Sequence, residues 1–157
     1  TRHLITVIQD SARLVLLVNL AATLYMTGLI WFVQLVHYPL FAQVGEAEST
    51  AYAAQHQART TIAVAPMLVE AAAALALVFI RPAGCPAWAA YAGLALVGLL
   101  WISTAFVQVP LHGRLSLGYD AAAIASLVAT NWVRTALWTA RAALVLWLAG
   151  QQFAPRT

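Results

Sequence analysis

Three of the four histidines, His37, His56 and His112, fall near the ends of three separate apolar segments. Neutral imidazole is a ligand for Cu, Fe or Zn, and a haem iron needs one or two of the three. No HxxxH or ExxH pair accompanies them, so they meet only if the fold brings the three segments together. HQAR (56–59) puts His56 and Arg59 on one helical face, where Arg59 can hold an anionic group, a haem propionate or developing negative charge. A second group lies in an oily stretch. NWVRTALWTAR (131–141) sets Asn131, Arg134 and Arg141 among apolar residues, and the second segment carries one acid, Glu70. A charge facing hydrocarbon costs at least ~2.5–3.5 kcal/mol, so these groups belong in an interior. There they act on protons or anchor a substrate, or they only fix helix register.

The elements that must position these residues follow from composition. The chain has 157 residues, 63% hydrophobic and only 8% charged. Soluble domains carry roughly 25% charged residues, so an integral membrane protein is the expected class. A net charge of +3, spread along the chain, argues against a nucleic-acid partner. Cys85 is the one cysteine, which excludes an intramolecular disulfide and a CxxC site. There is no GxSxG elbow, Walker loop or dinucleotide fingerprint.

A span needs about 20 apolar residues. Four stretches qualify, at about 14–41, 51–80, 87–109 and 120–148. Residues 1–12 read as a short interfacial helix. GEAEST (45–50) is a polar turn with Ser49 or Thr50 as N-cap, RPAGCP (81–86) is a stop, and Asp120 caps the fourth segment. Short connections predict an all-α, antiparallel up-down four-helix bundle in one domain. Arg2, Arg13, Arg81 and Arg156 fall on one side, which puts both termini in the cytoplasm, with a bacterial inner membrane as the expected location. The lipid bilayer and a hydrophobic small molecule are the expected partners, and a homo-oligomer stays open.

At 100° per residue each helix shows one polar stripe. Asn19, Thr23, Thr27, Gln34 and His37 share a face of the first. His56, Arg59, Pro66 and Glu70 share one in the second, and Trp101, Thr104, Gln108 and His112 one in the third. Asp120, Asn131, Arg134, Trp138 and Arg141 share one in the fourth. Polar residues thus mark the centre of the bundle. Glu70 lies ~21 Å along its helix from His56, and Arg134 ~21 Å from Asp120. If both helices start at one level, Glu70 and Arg134 pair near mid-membrane, with Asn131 beside them, while Arg141 snorkels to the cytoplasmic surface. Gln34, Trp101, Gln108 and Trp138 are candidate substrate contacts, although tryptophans there also serve plain packing. Trp88 and Trp147 read as interfacial anchors.

VPLHGRL (109–115) and LVATNWVRTALWTARAAL (127–144) resemble the anthrone-oxygenase-like (DUF1772) membrane proteins. Pro110, His112 and Leu115 match the family's pattern after its third helix. Asn131 or Trp132, with Arg134 and Thr135, match the aromatic-Arg-Thr signature of its fourth. The match covers under a quarter of the chain, and His112 stands where the family has asparagine. The resemblance implies oxygenation of a hydrophobic, polyketide-like aromatic. WFVQLVHYPLF (31–41) is loosely similar to the small four-helix protoporphyrinogen oxidases, whose lysine partner has no counterpart here. The leading expectation is a membrane oxidoreductase for an aromatic or quinone-like molecule. His37, His56 and His112 would bind a metal or haem near the outer face, and Glu70, Asn131, Arg134 and Arg59 would be the catalytic groups. The alternative is a non-enzymatic membrane subunit or carrier whose polar core is structural.

Overall fold

Apolar side chains cover much of the outside of this chain, and a set of polar ones is buried among the apolar side chains of its interior. In the computed structural model, which describes residues 2–152, Leu14, Leu35, Leu68, Phe79, Ile102 and Phe106 are exposed. Asn19, Thr23, Gln34, Glu70, Gln108, Asn131, Arg134 and Arg141 are buried. Exposed apolar side chains around buried polar ones are the pattern that hydrocarbon as solvent selects.

The described residues form four helical runs. The first is α1 (Arg2–Phe32), a π turn (Val33–His37), one α turn (Tyr38–Leu40) and a 3-10 turn (Phe41–Gln43). The second is α2 (Glu46–Ala63) followed by α3 (Pro66–Phe79). The third is α4 (Ala87–Ser103), a π turn (Thr104–Gln108) and α5 (Val109–Leu115). The fourth is α6 (Ala121–Gly150). The first three runs are long and apolar enough to cross a membrane. The fourth has the length, but Asn131, Arg134, Thr135 and Arg141 keep it outside that apolar set, and it buries all four.

Several boundaries differ from expectation. Residues 2–12 form no separate interfacial helix, because nothing in α1 interrupts the helical ladder before Phe32. The second run starts at Glu46, with Gly45 at its N-cap, instead of near Ser49 or Thr50. Glu46 and Glu48 then occupy its first turn, where negative charge complements the helix dipole. That run breaks at Val64–Ala65, just before Pro66, which has no N–H to donate. The third run continues through Pro110 to Leu115. A proline ring clashes with the carbonyl four residues back, and a π turn draws that carbonyl into a wider loop. Pro39 and Pro110 each sit two residues after such a turn.

α1 packs along α3 and α6, and α4 closes the bundle against the same two. Leu16, Leu77, Ala89, Val145 and Leu148 fill one end. Met26, Ile30, Met67, Leu100 and Trp138 fill the middle. Tyr38, Phe41, Ala53, Leu115 and Leu127 fill the other end. α2 stands apart, with α5 as its main neighbour, so space opens on both its flanks.

The two ends are tied differently. At the first, Gly84 turns the chain with a left-handed φ of 87°, which glycine adopts without strain. Gln9 Oε1 accepts the Ala83 N–H at 2.7 Å, and Gln152 Nε2 donates to the Ala83 carbonyl at 3.2 Å. Trp88 and Trp147 pack together near this end with ring centroids 5.5 Å apart. Arg13 and Arg81 belong here too, while Arg156 and the side chain of Arg2 lie outside the described residues. At the second end Asp120 caps α6, accepting the Ala123 N–H at 2.8 Å and pairing with Arg114.

That cap gives a pH prediction. The Ala123 N–H, and after it Arg114, hold the Asp120 carboxyl below the usual carboxylate range. A carboxyl whose pKa is lower folded than unfolded contributes stability above its unfolded value of about 3.9. The contribution is lost as pH falls through the folded value. The melting temperature in detergent should drop on acidification below about pH 4, and Asp120→Asn should flatten that part of the profile.

Candidate functional site

Two polar layers occupy the bundle, and they differ in how well they are satisfied. In the deeper one Glu70, on α3, is 1% exposed. Its Oε1 accepts from Arg141 Nε at 2.6 Å and from Thr23 Oγ1 at 2.9 Å, and its Oε2 accepts from Trp138 Nε1 at 3.0 Å. Arg141 Nη1 donates to the Gly93 carbonyl at 2.6 Å, and Nη2 donates to Asn19 Oδ1 at 3.0 Å. Asn19 Nδ2 returns to the Glu70 carbonyl at 3.3 Å. One carboxylate therefore gathers groups from α1, α4 and α6 onto α3. Gly93 fits closely: a Cβ there would sit 3.1 Å from Arg141 Nη1, which would have to give by a few tenths of an ångström.

This corrects the expected pairing. Arg141, not Arg134, is the partner of Glu70, and Arg141 is buried instead of reaching the surface. The second run begins ten residues before His56, so Glu70 lies roughly 36 Å from Glu46, beside Arg141 at roughly 30 Å from Ala121. Arg134 is roughly 20 Å from Ala121, well short of that level. Trp138 is fully buried in the deep network and lines neither flanking cavity, so its contact is with Glu70.

The outer layer holds the histidines, and here the three segments do meet. His37 Nε2 lies 2.7 Å from His56 Nδ1, and Thr60 Oγ1 lies 3.1 Å from the same nitrogen. The His56 ring stacks on that of His112 with centroids 4.8 Å apart. His112 Nε2 lies 3.0 Å from the Tyr38 hydroxyl. Phe41 packs edge-on against His37 and His56. The rings stack at 29–30°, so their nitrogens do not point to one centre. Nitrogens at 2.7 Å share a proton. Two ligands of a tetrahedral ion with bonds near 2.0–2.1 Å stand farther apart. Among the described residues no group of three or more His, Cys, Asp or Glu is set to hold a metal ion.

Between the layers, Asn131 Nδ2 donates to Gln34 Oε1 at 2.9 Å, and Gln34 Nε2 donates to the Val128 carbonyl at 3.2 Å. Gln108 Nε2 donates to Thr130 Oγ1 at 3.0 Å. Arg134 is 6% exposed, lies over the Trp138 ring at 5.4 Å, and is near enough to the Tyr38 hydroxyl to interact with it. Among the described residues it pairs with no carboxylate.

Two cavities flank α2. One, of about 210 Å³, reaches from Met26 and Ile30 to His37, His56 and Arg59. The other, of about 290 Å³, is bounded by Thr104, Gln108 and His112. Tyr38, His56, Thr60, Val64 and Arg134 belong to both walls. Gln108 Oε1, His112 Nδ1, Asn131 Oδ1 and Arg134 Nε are buried atoms with no hydrogen-bond partner, and all four lie in this outer half. Arg59 is exposed at the rim of the first cavity.

Of the candidate substrate contacts, Gln108 lines a cavity, Gln34 is occupied with Asn131, and Trp101 turns outward at 37% exposure. The π turn explains Trp101. It inserts an extra residue into the helical period, so Leu100, Thr104 and Gln108 follow one another inward. The same shift puts Tyr38 on the buried face beyond Gln34, where a straight helix pointed to His37 alone. Tyr38, Thr60 and Gly93 were absent from the expected polar faces, and Asn19 was placed on one without a role at the site. Pro39 was the sequence signal for the shift that turns Tyr38 inward.

Two predictions test these contacts. Glu70→Gln or Arg141→Met alone leaves a buried charge unpaired and should cost about 3–5 kcal/mol in detergent unfolding, with the double change recovering part of it. Arg134→Met should show no such coupling to Glu70→Gln. Gly93→Ala should destabilise by about 1–3 kcal/mol, because Arg141, held by Glu70, Asn19 and the Gly93 carbonyl, must shift to make room.

No family model matches this chain, and comparison with curated proteins and with solved structures likewise finds no match.

Proposed function

We propose that this chain is an integral membrane oxidoreductase. It would sit as an antiparallel four-helix bundle in a bacterial inner membrane, with both termini cytoplasmic, and act on a hydrophobic aromatic or quinone-like molecule beside α2. The observation that carries the reading is the outer layer. A hydrogen-bonded pair of imidazoles, His37 and His56, adjoins two cavities whose walls hold unpartnered buried polar atoms. The deep layer has no comparable room, and its polar groups are occupied with one another. The resemblance of the third and fourth helices to anthrone-oxygenase-like proteins points to the same chemistry.

In this reading His37 and His56 share one proton, so one nitrogen of the pair is free to take a proton from the substrate. Thr60 orients His56, and Tyr38 with His112 forms a second donor–acceptor pair across the cavity. Removing a proton from an acidic CH₂ of an aromatic ketone leaves an electron-rich carbon that dioxygen oxidises. The CH₂ and one O₂ become C=O and one water. The chain's part is to bind the ring system, take the proton and exclude bulk water.

The test is oxygen consumption by the purified protein with a tricyclic aromatic ketone bearing an acidic CH₂, together with elemental analysis and a visible spectrum. Turnover that falls at least about a hundredfold in His56→Ala and His37→Ala, with stability retained, supports the histidine pair as base. A stoichiometric metal or a Soret band lost in those variants would replace the proton pair with a metal or haem centre. A protein that binds aromatics and never consumes oxygen would instead be a carrier.

A further inference from the structure

Among the described residues Arg134 is a buried cation without a counter-ion. The chain has five acidic residues, and none serves it. Asp10 pairs with Arg13, Asp120 with Arg114 and Glu70 with Arg141. Glu46 and Glu48 stand in the first turn of α2, with Glu48 roughly 12 Å along the helix from His56. Burying a guanidinium in an apolar bundle is costly unless an anion or a full set of acceptors meets it. The deep layer shows the chain's own solution, a carboxylate and two oxygen acceptors around Arg141. Arg134 has the Trp138 face and the Tyr38 hydroxyl, and its Nε lacks an acceptor. It borders both cavities; the first is walled largely by apolar side chains such as Met26, Leu29, Ile30 and Val33, and the second adds Gln57, Thr61, Thr104 and Gln108.

We propose that Arg134, with Tyr38, is the binding site for a single ionised oxygen group, a phenolate, enolate or carboxylate, carried on an apolar body that fills the cavities flanking α2. The inference rests on the oxidoreductase reading for its location and names the class of ligand that the reading leaves open: a weak acid that is soluble in lipid. The guanidinium supplies planar, paired donors that match an ionised oxygen, and the apolar wall of the first cavity suits the body that carries it. Tyr38 can donate its one hydroxyl proton to the same oxygen while His112 Nε2–H donates to the Tyr38 oxygen.

The experiment uses 4-nitrophenol, which is colourless as the phenol and yellow as the phenolate, with the purified chain in neutral detergent at mildly acidic pH. Wild type should bind it as phenolate, giving a yellow complex where micelles alone stay colourless. Arg134→Met should lose that band and bind the phenolate roughly tenfold to hundredfold more weakly, while the neutral methyl ether binds as before. Arg134→Lys, which keeps the charge without the fork, should fall between. If Arg134→Met does not fold, the wild-type colour and the lysine variant decide. A long-chain carboxylate that displaces the phenolate marks a fatty-acid type of ligand, and failure to displace it marks an aromatic one. A colourless wild-type complex, or a yellow one unchanged in both variants, overturns the proposal. Phenolate binding without oxygen consumption would leave this site standing and remove the oxidoreductase reading. Oxygen consumption with a colourless complex would do the reverse.

Discussion

The Glu70–Arg141 pair sets the terms for everything around it. A lone carboxylate in the middle of an apolar bundle is tolerated only when its oxygens are fully occupied, and here α1 and α6 supply the donors, with α4 joined through the Gly93 carbonyl on Arg141. Asn19 and Thr23 fix the level of α1, Gly93 that of α4, and Trp138 with Arg141 that of α6. Sliding any of these helices by one turn would strand a charge. Shape packing among Leu, Val and Ala side chains is far more forgiving of such a slip, because one small apolar residue stands in readily for another. The ion pair thus defines register in the inner half, and the outer half is built from that reference.

With the inner half fixed, the outer half can stay open. α2 is joined to α3 through the break at Val64–Ala65 and has one substantial neighbour, α5. A helix held at one end and along one side leaves gaps on its flanks, and the histidines, Tyr38 and Arg134 face those gaps. The contrast between the layers is chemical. In the inner layer donors and acceptors close on one another. In the outer layer Gln108, His112, Asn131 and Arg134 keep a free valence each. A fully closed network has nothing left to offer a ligand, which is why the functional reading belongs outward of Glu70.

Much of this architecture was legible in the residues. Hydrophobic length gave the four helices, and polar stripes gave an interior of Asn19, Thr23, Gln34, His56, Glu70, Gln108, Asn131 and Arg134. The meeting of His37, His56 and His112 followed from their shared depth. What failed was depth and phase. The Glu70–Arg134 pairing assumed helices of equal start, and a polar first turn at Glu46 hid a whole extra stretch of α2. Trp101 and Tyr38 were misplaced because a 100° wheel cannot carry across a π turn. Arg141 looked like a snorkelling residue because position alone does not say whether a buried carboxylate is within reach. Proline marks that a helix is disturbed, but not whether it kinks, ends or widens.

The two widened turns have a consequence for how this chain can change. Each holds one residue more than an α-helical turn needs, just before Pro39 and just before Pro110. The surplus residue rotates everything after it by about a quarter of a circle or more relative to the trunk of the bundle. Tyr38 and His112 owe their inward aim to that rotation. Loss of one residue from either turn would leave the trunk, its ion pair and its hydropathy as they are, and swing Tyr38 or His112 toward the exposed apolar surface. The aim of the outer layer is thus set by the length of the chain at two points, and a single-codon deletion there would redirect it without touching Glu70 or Arg141.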